Sequence, residues 1–123
     1  MPRYMAIILD DPATAEADVP PEHWAKVMDE YNSFGAEAGA AGVIGGGEAL
    51  QPPSTGTIVK VQGGKGGEIV TSDAALAEAK EVVGGFYLLD CKDLDEAISW
   101  AAKIPGAWYG RVEVRPVIDF SAA

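Results

Sequence analysis

The chain holds 123 residues, 48% hydrophobic and 23% charged, which are values of an ordinary globular protein and argue for one domain over residues 1–123. Nineteen Asp and Glu against nine Lys and Arg give a formal charge of -10. That charge repels phosphate backbones and anionic lipid, no basic run offsets it, and nucleic acid and membrane surfaces are set aside as partners.

Residues 4–9 are apolar on both faces, which predicts a central strand in a sheet. The apolar run at the N-terminus is too short for a secretory core or a bilayer span, so the cytosol is the expected location. An acidic, Pro-bearing loop follows over residues 10–21. A helix is predicted from Pro21 to Ala41. Trp24, Val27, Met28, Tyr31, Phe34, Ala38 and Ala41 recur on one face, and Gly42 fits its C-terminal cap. Gly45-Gly46-Gly47 breaks regular structure, and residues 48–50 form a short strand.

Gln51-Pro52-Pro53-Ser54 is a rigid connector. Residues 57–62 and 68–71 are partner strands around the turn Gly63-Gly64-Lys65-Gly66-Gly67. That glycine run lacks the Gly-Lys-Ser/Thr ending and following helix of a phosphate cradle, so it reads as a hairpin turn. Residues 72–83 are alanine-rich and favour a helical turn, ended by Gly84-Gly85. Residues 86–91 form a strand. Asp93 and Glu96 have the form of a capping box, opening a second helix that runs to about Ile104 and presents Leu94, Ala97, Ile98 and Ala101 to a core. Pro105-Gly106 stops it. In the last strand, residues 111–117, Val112 and Val114 point one way and Arg111, Glu113 and Arg115 the other.

Two helices over a mainly antiparallel sheet predict an α+β sandwich of the ferredoxin-like kind. The helices cover one sheet face only. A symmetric homodimer with the sheets facing each other is the expected cover for the second face, bringing Arg111, Glu113 and Arg115 into or along that space.

The sequence also resembles the YCII-related family in its DGPF-domain branch. The resemblance is carried by Tyr4-Met5-Ala6-Ile7-Ile8, the helix start Pro21-Glu22, Ala41-Gly42-Val43, and Gly46-Gly47-Glu48-Ala49-Leu50-Gln51-Pro52-Pro53. It continues through Glu78-Ala79-Lys80-Glu81, Gly84-Gly85-Phe86-Tyr87, Leu94-Asp95-Glu96-Ala97 and Val112-Glu113-Val114-Arg115-Pro116-Val117. The branch's tetrapeptide Asp-Gly-Pro-Phe stands here as Asp73-Ala74-Ala75-Leu76, without the Gly-Pro turn. The resemblance implies a dimeric ferredoxin-like α/β barrel. It implies little about chemistry, because the branch is largely without an assigned reaction; related members have been regarded as candidate enzymes with a His–Asp pair, and DGPF-type proteins tend to accompany extracytoplasmic-function sigma factors.

His23 is the single histidine and the natural acid/base candidate, against the plainer reading of an exposed first-turn residue. Family matching offers Asp73, then Glu48, as the carboxylate that orients it. Asp73 alternatively caps the turn after it, and Glu48 alternatively faces water at a sheet edge. Tyr87, Glu113 and Arg115 are candidate ligand-binding residues, with a packed tyrosine and a structural ion pair as their plain readings. Cys91, the lone thiol, reads as inert packing and excludes an internal disulfide. No metal and no cofactor is expected.

Two functions follow from this reading, beside a purely structural one in which the polar set pairs with itself across the dimer. One is a homodimer that binds a small molecule between sheet and helix, with cofactor-free proton transfer. The other is a non-catalytic regulatory or protein-interaction module tied to sigma-factor systems.

Overall fold

The computed structural model describes residues 1–15, 19–73 and 80–122. Strand β1, Arg3–Asp10, lies at the centre of a four-stranded sheet, as its two apolar faces predict. A helical turn, α1 (Pro12–Ala15), follows it. Helix α2 spans Pro21–Ala40, with proline in its first turn, where a missing amide hydrogen costs nothing. It ends on Gly42 at φ 71°, with Val43 N–H bonded to the Ala38 carbonyl and Gly42 N–H to that of Gly39.

The chain continues with β2 (Ile44–Ala49), β3 (Thr57–Gln62), β4 (Glu68–Asp73), β5 (Val82–Asp90), α3 (Leu94–Ala101), a short helix α4 (Gly106–Tyr109) and β6 (Arg111–Pro116). The sheet order is β2-β5-β1-β6, with every pairing antiparallel, while β3 and β4 form a separate two-stranded ribbon. This is a mixed α+β arrangement compatible with a ferredoxin-like fold, with the ribbon inserted between its second and third strands.

The core lies between the helices and one sheet face. Tyr4, Ala6 and Ile8 of β1 and Leu89 of β5 meet Phe34 and Ala38 of α2 and Ala97 and Ala101 of α3. The register puts Met5 opposite Leu88 and Ile7 opposite Phe86 on the other face, and Glu113 and Arg115 of edge strand β6 sit beside Ile7 and Met5 there. No helix among the described residues is long and apolar enough to cross a membrane.

The capping box forms as expected: Glu96 N–H bonds Asp93 Oδ1 at 2.9 Å, and Lys92 N–H bonds Glu96 Oε1 at 3.0 Å. The turn at 63–67 also forms, with Gly63, Gly64 and Gly66 at φ of 80°, 86° and 84°.

Other expectations need correction. The covered stripe of α2 runs through Tyr31, Phe34 and Ala38, all on the predicted face, but Trp24 and Met28 at the margin of that face, in the first half of the helix, are 57% and 40% exposed. On α3 the alanines Ala97 and Ala101 are buried, while Leu94 and Ile98 remain exposed. The triplet Gly45-Gly46-Gly47 lies inside β2 and does not interrupt it. A Cβ on Gly47 would stand 2.6 Å from the Phe86 carbonyl oxygen, so glycine is what lets this edge strand approach β5. Of the predicted helical turn over 72–83, Ser72 and Asp73 belong to β4 and Val82 and Val83 to β5. Residues 74–79 lie outside those described.

Candidate functional site

Three titratable side chains with raised pKa values, Asp10, Tyr31 and Tyr87, gather near the end of β1. The pairing of β1 with β5 slips between Ile8 and Leu9: Ile8 faces Gly85, Leu9 faces Val83, and Gly84 is the extra residue. A bulge of this kind re-aims side chains, and bulges recur beside functional sites. Here it accompanies the half-buried Asp10. Burial lifts the Asp10 carboxyl above its ordinary value, because the charged form loses water.

Tyr31 of α2 projects from the buried stripe toward the same place. Its phenol is pushed up to about 12, first by burial and then by the Tyr87 and Asp10 charges; an interaction with the Gly106 backbone pulls in the other direction. Tyr87 of β5 is raised by burial and packs edge-on against Phe34, with centroids 5.1 Å apart. Glycines line this corner. A Cβ at Gly106 would lie 3.0 Å from Tyr31 Oη, one at Gly110 3.5 Å from Asp10 Oδ1, and one at Gly84 would overlap Asp10 Oδ2. The bare backbone at these positions leaves room for the polar heads.

His23 stands at the outer lip, exposed in the first turn of α2. Its ring meets the Tyr109 ring edge-on at 5.8 Å. Tyr109 in turn donates a 2.6 Å hydrogen bond to Glu30 Oε1. That bond raises the Tyr109 phenol, since its loss would expose a carboxylate to a phenolate. Among the described residues no carboxylate forms an ion pair with His23. At neutral pH both inner phenols remain protonated donors, and a carboxyl with a raised pKa exchanges protons closer to neutrality than a free one.

The sequence-predicted residues scatter across the fold. Tyr87 belongs to the inner group. Glu48 is exposed on edge strand β2, opposite Phe86. Asp73 ends β4 on the ribbon, and the rest of its tetrapeptide lies outside the described residues. Glu113 and Arg115 pair with each other at 3.6 Å on β6, both well exposed.

Sequence reading missed Asp10, which its acidic, proline-bearing context marked as loop, and it took Tyr31 only as core. The signal available was a tyrosine on the helix stripe facing the last residue of an apolar strand. Two hollows lie elsewhere. An apolar groove of about 420 Å3 runs between α3 and β6, past Leu94, Ile98, Val112 and Val114. A polar one of about 380 Å3 sits at the ribbon's root, lined by Thr55, Thr57, Thr71 and Ser72 among others.

Fold and site together define a small α+β domain with an antiparallel sheet and a carboxyl–phenol corner. The model of the YCII-related domain matches residues 2–121, and the chain belongs to that family. An uncharacterised protein of Rhizobium meliloti (strain 1021) is 33% identical over 94 residues, covering 75% of this chain and 73% of the relative.

Proposed function

We propose that the chain is a homodimer that binds a small organic molecule at the corner of Asp10, Tyr31 and Tyr87, and exchanges a proton with it without a cofactor. The observation that carries this reading is the half-buried Asp10 carboxyl, lifted by burial beside two phenols and hemmed by glycines. Asp10 is the proton-exchanging carboxyl and the phenols hydrogen-bond the ligand's oxygen. His23 at the lip is a second proton carrier. Asp73 and Glu48, the carboxylates first matched to His23, are then surface groups.

The dimer reading rests on the sheet face the helices leave open, where Met5, Ile7, Phe86 and Leu88 are only partly covered. Two copies packed face to face would bury it and form the dimeric barrel. Assignment to the DGPF branch rests on the order and spacing of the motifs from Tyr4-Met5-Ala6 to Arg115-Pro116-Val117, with the tetrapeptide at Asp73-Ala74-Ala75-Leu76 as the departure from its pattern.

Amide shift mapping with a library of small organic acids and ketones tests the proposal. Hits should move signals at Asp10, His23 and residues 106–110, and Asp10→Asn should abolish them. Hits confined to the Leu94–Val114 groove would overturn it. A second reading, an interaction module of sigma-factor circuits, is favoured by the fully exposed ribbon and makes Asp10→Asn silent.

A further inference from the structure

The carboxylates around the Asp10 corner stand without a cation bonded to them. Asp10 is followed by Asp11, whose carboxylate accepts the Ala13 N–H at 2.9 Å, and Glu30 of α2 holds Tyr109 at the lip. Among the described residues no Lys or Arg forms an ion pair with any of these three carboxylates. Arg111 pairs in register with Leu9, next to Asp10, but strand alternation puts it on the opposite sheet face, where its Nε and Nη2 donate to the two oxygens of Glu81. Arg3 begins β1, roughly 23 Å along the strand from Asp10. Lys26 is exposed on α2 one turn before Glu30, so its charge lies beside that rim carboxylate.

Two neutral donors share the corner. Tyr31 and Tyr87 are half-buried, and neither hydroxyl hydrogen has an acceptor among the described residues. Tyr31 lies within electrostatic reach of both Tyr87 and Asp10. A half-buried hydroxyl requires an acceptor, and a carbonyl oxygen supplies one without adding charge. A ligand carboxylate would instead set a second negative charge beside a half-buried one, with no cation to offset it, where scarce water screens the repulsion least.

We propose that the molecule bound at this corner is an uncharged ketone or aldehyde with a hydrogen on the carbon beside its carbonyl, and that anionic carboxylates are rejected there. This rests on the corner being the binding site, as proposed above, and assigns what it takes. Asp10, as the carboxylate, removes the proton from that carbon. The C–H electron pair becomes a carbon–carbon double bond, and the carbonyl π pair moves onto the oxygen, held by hydrogen bonds from Tyr31 and Tyr87. The proton returns from the Asp10 carboxyl to carbon, so the net change is the exchange or shift of one hydrogen.

The test uses three pairs of probes similar in shape: acetone and acetate, cyclohexanone and cyclohexanecarboxylate, acetophenone and benzoate. It is run at about pH 8, where an imidazole carries little charge. Amide shift mapping should place the ketones at residues 106–110, each binding at least about tenfold tighter than its acid. In heavy water the protein should speed deuterium uptake beside the ketone carbonyl, read by proton NMR. Tyr31→Phe and Tyr87→Phe, which keep the rings, should each slow that uptake about tenfold or more with an unchanged circular dichroism spectrum, and Asp10→Asn should stop it. Acids that bind the corner as tightly as the ketones would overturn this inference and leave the corner standing as a binding site. Ketones bound there without faster uptake, or uptake indifferent to both tyrosine variants, would do the same. Corner signals that no probe moves would overturn both readings.

Discussion

Gly84 is the residue of β5 that the pairing with β1 skips, and its backbone presses so closely on Asp10 that any Cβ at position 84 would overlap the carboxylate. The bulge and the missing side chain therefore form one device: the extra residue bends the strand, and glycine keeps the bend from displacing the carboxyl. Gly84→Ala is expected to swing Asp10 outward into water. The fold should survive with a loss of about 1–2 kcal/mol, and the Asp10 midpoint should fall toward 3.8. Thermal melting and a carboxyl titration check both.

Asp10 itself destabilises the protein when ionised. Its native pKa is raised, so the folded state holds the proton more tightly than the unfolded state. The stabilising effect of protonation is fully present below the unfolded value and is lost as pH rises through the native one. Asp10→Asn is expected to raise the melting temperature at pH 7 by a few degrees, with the gain vanishing near pH 3. A gain of equal size at both pH values would contradict the burial of a charged Asp10.

Cys91 should be chemically silent in the native state. It is fully buried, and burial followed by the nearby Glu96 charge pushes its thiol up. A disulfide-exchange reagent is expected to label it only in denaturant. Stoichiometric labelling of the folded protein within minutes would show the β5 terminus to be open.

Phe86 lies opposite Ile7 on the sheet face the helices do not cover. In the face-to-face dimer a charge there is stranded, so Phe86→Lys should weaken association at least about tenfold while leaving the circular dichroism spectrum unchanged. Sedimentation identical to that of the parent protein would remove this face from the interface.

Much of the scaffold was legible because its signals are local. An apolar run marked β1, prolines and Gly42 bracketed α2, Asp93 and Glu96 opened α3, and glycines shaped the ribbon turn. The errors fell where tertiary contact decides. The face of α2 depends on how the helix is seated, so Trp24 and Met28 read as core and proved exposed. The Gly45-Gly46-Gly47 run reads as a breaker until β5 is seen to need a bare backbone beside it. Asp10 and Gly84 read as loop and terminator, and their relation exists only across a strand pair some seventy residues apart in sequence. His23 was found by its chemistry alone, which identifies a proton carrier and says nothing of its neighbours. The structure gives it Tyr109 as its ring contact.

The most direct measurement is the titration of the Asp10 side-chain carboxyl by carbon-detected NMR, with and without a bound small acid or ketone. The account expects a midpoint clearly above 3.8 in the free protein, and a further change on ligand binding that Tyr31→Phe diminishes. A midpoint at or below 3.8, indifferent to every ligand and to Tyr31→Phe, would contradict a proton-exchanging site at this corner.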